Sequence, residues 1–144
     1  MKKQNVKGNI IVLICCVVCF WIFHNSMHSL TQSDKQSGMV MDALNYLSRR
    51  LGLHIVFTQF MVRKMAHFTE YFIFGNILTI TTRIIWKSLK SHIFFELFLF
   101  LAVPVADETV QMFFDGRTSN VLDVLIDFSG CVVGMLIYIL VKSS

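Results

Sequence analysis

Uncharged apolar stretches alternate with short charged clusters along the whole chain. No Asp, Glu, Lys or Arg occurs between Lys7 and Asp34, and Ile10 to Phe23 is an unbroken apolar run. With the uncharged residues on either side, Gly8 to Met27, the window approaches the ~20 residues that a helix needs to cross a bilayer core. The pattern predicts three further spans. The second covers about 64–83, with no charge between Tyr71 and Thr82; the third, rich in Phe, covers about 92–111; the fourth covers about 123–142. Pro104 lies inside the third span and is expected to loosen the helix just before Asp107. The expected fold is all-α: an integral membrane bundle of about four transmembrane helices.

Residues 31–62 are more polar. Within them Met39, Val40, Ala43, Leu44, Leu47 and Leu51 recur at helical spacing, with Asp42, Asn45, Arg49 and Arg50 off that stripe. This predicts an amphipathic helix, lying either on the membrane surface or against the bundle. The domain reading is therefore an N-terminal anchor over 1–30, an extracytoplasmic connection over 31–62 and a three-helix core over 63–142. Lys2, Lys3 and Lys7 ahead of an apolar run also fit a signal peptide. No small-residue cleavage site follows, so a retained anchor is expected.

Composition narrows the class. Hydrophobic residues make up 55% of the 144 positions and charged residues 15%, with 14 Phe and one Pro. Disordered chains are poor in such residues, and so little Gly and Pro leaves little room for a loop-rich β fold. The net charge of +4 and a pI near 9.0 point to anionic lipid rather than nucleic acid, because the basic residues flank the spans. The loop carrying Arg83, Lys87 and Lys90 has no acidic residue, which places it, and with it both termini, in the cytoplasm.

The intramembrane polar residues carry the candidate chemistry. With Arg83, His92 and Lys142 as inner markers, Lys64, Gln111 and Asp123 each lie 19 residues away, or ~28 Å along a helix. His67 and Glu108 each lie 16 residues away, and Glu70, Asp107 and Asp127 lie 13, 15 and 15 away. Three polar layers are thus expected near the outer surface, with Tyr71 on the face of Lys64 and His67. Gly130 and Gly134 share the stripe of Asp123 and Asp127, at a spacing that lets a neighbouring helix approach closely. Ionisable groups at this depth are costly unless they face the interior and pair. The carboxylates here outnumber Lys64 and Arg117, so a functional site is favoured over a self-satisfied lock.

Other features weigh less. Cys15, Cys16 and Cys19 are expected to face the membrane. His24 and His28, four residues apart, read as interfacial polar residues rather than a metal pair. Glu96, one turn from His92, is expected to reach back to the cytoplasmic surface.

The segment Arg63-Lys64-Met65-Ala66-His67-Phe68-Thr69-Glu70-Tyr71, followed by Phe74-Gly75, resembles the first motif of the VanZ-like family. Asp107-Glu108-Thr109-Val110-Gln111-Met112-Phe113 leading to Gly116-Arg117, then Asp123-Val124 and Gly130 to Gly134, resembles its second. The resemblance covers roughly residues 60–141. Asp127 stands where many members carry Asn, and Asp115 where Pro is often found. The resemblance implies a small membrane protein associated with low-level resistance to the glycopeptide teicoplanin, with no settled reaction. Its partners are expected to be membrane lipids or a lipid-linked cell-wall precursor, in a monomer or an oligomer. Three functions compete; a transporter or cation pathway is the one that four short spans support least unless the protein oligomerises. In a binding protein, Lys64 and Arg117 would meet phosphate, and Tyr71, Gln111 and Asp127 would complete the pocket. In an enzyme, His67 would act as acid or base, with Glu70 beside it, and Asp107, Glu108 and Asp123 would hold a divalent metal. No nucleophile with a partnered base is visible in the sequence, so binding is placed ahead of a named reaction, and no cofactor is named.

Overall fold

The computed structural model describes residues 2–86 and 92–143. Lys87 and Lys90 of the expected inner loop lie outside the described residues. Five helices make up the described chain, with no strand among the described residues: α1 (Lys2–Ser26), α2 (Leu30–Arg50), α3 (Gln59–Trp86), α4 (Ile93–Gln111) and α5 (Val121–Ser143). Two segments, Gly8–Ser26 and Val121–Lys142, are long and apolar enough to cross a membrane by length and composition. The other two expected spans, α3 and α4, do not meet that standard; α3 carries Arg63, Lys64, Glu70 and Arg83, and α4 carries Glu96, Asp107 and Glu108.

α3 and α5 form the main contact of the bundle, and α1 and α4 pack around them. Glycines make this contact a backbone one. A β-carbon at Gly130 would lie 2.6 Å from the carbonyl oxygen of Phe68, and one at Gly134 would reach the carbonyl of Phe72. Gly75 answers from α3, facing the backbone of Cys131. Around this seam Tyr71, Phe74, Leu78, Phe100, Cys131 and Met135 form the buried core, joined by Cys15 and Ile22 of α1. Cys15 thus points into the core, not outward as expected, because α1 packs that edge on α3 and α4; Cys16 is exposed. The remaining surface of α1 is apolar and exposed, including Ile10, Leu13, Val17 and Phe20.

α2 starts earlier than its apolar stripe. Ser29 caps it by accepting from the Gln32 N–H, while the Gln32 side chain accepts from the Ser29 N–H, a capping box that draws the polar residues 30–38 into the helix. Its buried side is small and polar, Ser37 and Ser48, whereas Met39, Val40, Leu47 and Leu51 are exposed. The bundle therefore does not cover the apolar stripe. The chain returns along α2: Asn45 exchanges two hydrogen bonds with the Phe57 backbone (3.0 and 2.8 Å), and Gln59 donates to the Asp34 carbonyl at 2.7 Å.

One further expectation, that for Glu96, fails. α4 runs unbroken from Ile93 to Gln111, with Pro104 buried inside it. A proline removes one helical hydrogen bond, but ending the helix among apolar neighbours would strand several backbone groups. Glu96 does not reach the surface: it is fully buried, takes a hydrogen bond from the Thr82 hydroxyl, and its Oε1 lies 3.3 Å from His92 Nε2. Trp86 stacks on His92 and closes that end.

Because the seam is lined by backbone that cannot step aside, Gly130→Ala and Gly134→Ala should each destabilise the protein by roughly 1–3 kcal/mol. Gly38→Ala, whose new methyl would meet nothing nearer than 3.6 Å, should be close to wild type. Thermal unfolding in mild detergent checks this; equal midpoints for all three would show that the seam is not tight.

Candidate functional site

The candidate polar residues gather where α1 ends, α3 begins, α4 ends and α5 begins. Helix phase explains how. Lys64 and His67 are separated by three residues on α3, and Asp123 and Asp127 by four on α5, so each pair lies on one face. The glycine seam presses those faces together. Lys64 pairs with Asp123, and His67 Nδ1 lies 3.8 Å from Asp127 Oδ1. The donor atoms of His67, Asp107 and Asp127 all lie within 4.8 Å of one another. Asp107 and Asp127 are fully buried, and Tyr71, also fully buried, stands beside both.

The remaining acids find neutral partners. Asn25 of α1 donates to Glu70 Oε1 at 2.7 Å. Gln111 donates to Asp107 Oδ2 at 3.2 Å and to the Ser26 hydroxyl at 3.3 Å. Glu108 Oε2 accepts the backbone N–H of Asn120 at 3.0 Å, which ties the end of α4 to the start of α5. The layers expected from spacing are thus partly regrouped: His67 faces Asp127, one layer deeper, and the acids expected to share a metal are separated. Asp123 is held by Lys64 and Glu108 by Asn120, leaving Asp107 with His67 and Asp127.

Arg117 lies in the connection between α4 and α5. Gly116 ahead of it has φ +75°, a backbone state that glycine adopts at no steric cost. The Asp115 carbonyl accepts the Leu30 N–H at 3.1 Å, so this loop is pinned to the start of α2. Arg117 donates to the Ser33 hydroxyl at 3.2 Å and does not pair with Asp123. Burial pulls its guanidinium below its ordinary pKa, while neighbouring Glu108 acts in the opposite sense.

A cleft of about 700 Å³ opens between α1, α2 and α3, with Arg117 at its rim. Its lining includes the polar groups Asn25, Ser33, Gln36, His67 and Glu70 and the apolar groups Trp21, Val40, Leu44 and Met65. His24 and His28, with ring centroids 5.3 Å apart, also line it. Lys64 and Asp123 border a separate cavity of about 270 Å³ with Phe60 and Asn120. The contributions of Asn25, Ser26 and Ser33 were not foreseen. The signal was the run His24-Asn25-Ser26 directly after an apolar span, which reads equally as an interfacial end.

A family model described as VanZ/LLP1 matches residues 10–142. No curated protein and no solved structure matches the chain. The match takes in α1 and α2 as well as the segment that carries the two motifs, and with the two apolar helices it marks a membrane protein.

The Lys64–Asp123 pair is largely shielded from water on both sides. Removing one partner leaves the other orphaned. Lys64→Met and Asp123→Leu should each lower the unfolding midpoint, and the double variant should recover part of the loss, with a coupling of about 1–2 kcal/mol. Strict additivity in a thermal double-mutant cycle would show that the pair is not coupled.

Proposed function

The chain belongs to the VanZ/LLP1 family, and we propose that it is a multi-pass protein of the cell membrane whose outward cleft holds the headgroup of an anionic or lipid-linked envelope molecule. One observation carries this reading: a single cleft of about 700 Å³ joins a guanidinium, neutral donors and a carboxylate to an apolar wall. That is the chemistry of a phosphate-bearing headgroup with a hydrocarbon chain attached. Arg117 spends one nitrogen on Ser33, and its Nε has no partner among the described residues. Its planar fork is therefore available for two oxygens of one anion. Glu70, held by Asn25, would meet a hydroxyl or amine of the same molecule. Holding a surface precursor, or changing its presentation, would lower sensitivity to teicoplanin.

The proposed topology has four spans, α1, α3, α4 and α5, with both termini in the cytoplasm. The outward faces of α3 and α4 support it, since Ile73, Phe94, Phe98, Leu101 and Val105 are apolar and exposed, as lipid contact requires. The uncovered stripe of α2, flanked by Arg49 and Arg50, would then lie in the outer interface over the cleft. The grouping of His67 with Asp107 and Asp127 supports a second reading, a membrane-embedded enzyme acting on the same lipid.

Reporter fusions after Lys35 and Asp115 should report the outside, and fusions after Lys87 and Ser144 the cytoplasm. An external Lys87 fusion would overturn the orientation.

For the cleft, a fluorescent short-chain phosphatidylglycerol should bind the detergent-purified protein. Arg117→Lys should weaken that binding by roughly 1–3 kcal/mol despite the retained charge. In a teicoplanin-sensitive host, Arg117→Lys and Glu70→Gln should abolish any protection while still accumulating in the membrane. Binding and protection by Arg117→Lys equal to wild type would rule out a two-oxygen grip on an anion.

A further inference from the structure

From the geometry behind the cleft we infer that His67, Asp107 and Asp127 bind a divalent transition-metal ion of the zinc or manganese class. The three side chains come from α3, α4 and α5, and their donor atoms all lie within 4.8 Å of one another. In a tetrahedral zinc site with bonds near 2.1 Å the donors stand roughly 3.4 Å apart. His67 Nδ1 and Asp127 Oδ1, at 3.8 Å, are already close to that spacing. Side-chain rotation that shortens these separations by at most about 1.4 Å would close the rest.

An independent observation points to a ligand. Asp127 is fully buried, yet neither of its carboxylate oxygens has a hydrogen-bond partner among the described residues. Buried carboxylates are normally paired, hydrogen-bonded or bound to metal. Neither nearby cation pairs with Asp127: Lys64 pairs with Asp123, and Arg117 donates to the Ser33 hydroxyl. A divalent ion would neutralise the two aspartates and give the Asp127 oxygens a partner.

The surroundings suit such an ion. Gln111 donates to Asp107 Oδ2, a contact that fixes the carboxylate and leaves its other oxygen to coordinate. One imidazole with two carboxylates is a borderline donor set, fit for zinc or manganese and poor for calcium or magnesium, which favour oxygen alone. Asp107 and Asp127 close the inner side, while His67 also lines the cleft. An ion held by three protein donors there keeps a coordination position facing the cleft, the arrangement of catalytic rather than structural sites.

The inference is independent of the headgroup reading, because its test reads metal and not lipid. The full chain, purified in mild detergent and stripped with a chelator, is offered zinc or manganese and passed over a sizing column before its metal content is measured. Wild type should retain about one ion per chain and gain thermal stability from it. Asp127→Asn, Asp107→Asn and His67→Gln should each weaken uptake at least tenfold. His67 borders the cleft rather than the core, so His67→Gln keeps the test open if an aspartate variant fails to accumulate. The double variant His24→Gln/His28→Gln should retain the ion. No retention by wild type would overturn the site, as would equal retention by His67→Gln, or loss of the ion only in the His24/His28 variant. In those cases His67 and Asp127 make a close polar contact at 3.8 Å and nothing more.

Discussion

The arrangement depends on one backbone contact, the approach of α3 to α5 across Gly75, Gly130 and Gly134. Side chains at these positions would collide with carbonyl and α-carbon atoms rather than with movable groups. The two helices are therefore held at one separation and one rotation. Gly130 lies against the Phe68 carbonyl, one residue from His67, and it follows Asp127 by three residues on the same helix. The distance between His67 and Asp127 is thus set by a contact that contains no ionisable group. The polar site is a consequence of close packing, not its cause.

The helices were legible because the apolar runs are long and the charges sit at their ends. Which polar residues share one end of the bundle was legible too, since the rise of a helix is constant. Partner choice was not. Depth alone cannot say whether Asp123 meets Lys64 or Arg117, or whether His67 meets Glu108 or Asp127. Those outcomes follow from rotation about the helix axes, which the glycine seam imposes from across the bundle. Glu96 was misplaced for a similar reason. Near the end of a span it looks free to reach water, but α4 turns it towards Thr82 on α3. The early start of α2 rests on Ser29 and Gln32, an exchange easily lost among polar neighbours. The division of the chain into anchor, connection and core remains a reading of the sequence, and the site draws residues from all three.

The two polar ends of the bundle differ in kind. Around Glu96 the groups meet one another: Glu96 is fully buried, takes a hydrogen bond from the Thr82 hydroxyl and lies against His92, on which Trp86 stacks. At the other end His67 and Glu70 face a cleft roofed by α2, while Asp107 and Asp127 stay dry behind them. A lock that only joins helices needs no cleft and no surplus of carboxylate. The end with the cleft has both, and Arg117 is held there by a neutral hydroxyl instead of being consumed by an acid.

The most direct test of the central claim, that this outer cleft holds a phosphate-bearing envelope molecule, is native mass spectrometry of the protein extracted from its own membrane in mild detergent. The account predicts one retained lipid or lipid-linked species with an anionic headgroup, bound about one to one and absent when Arg117 is replaced by Gln. A bound population that mirrors the bulk membrane lipids and does not change with Arg117→Gln would contradict it.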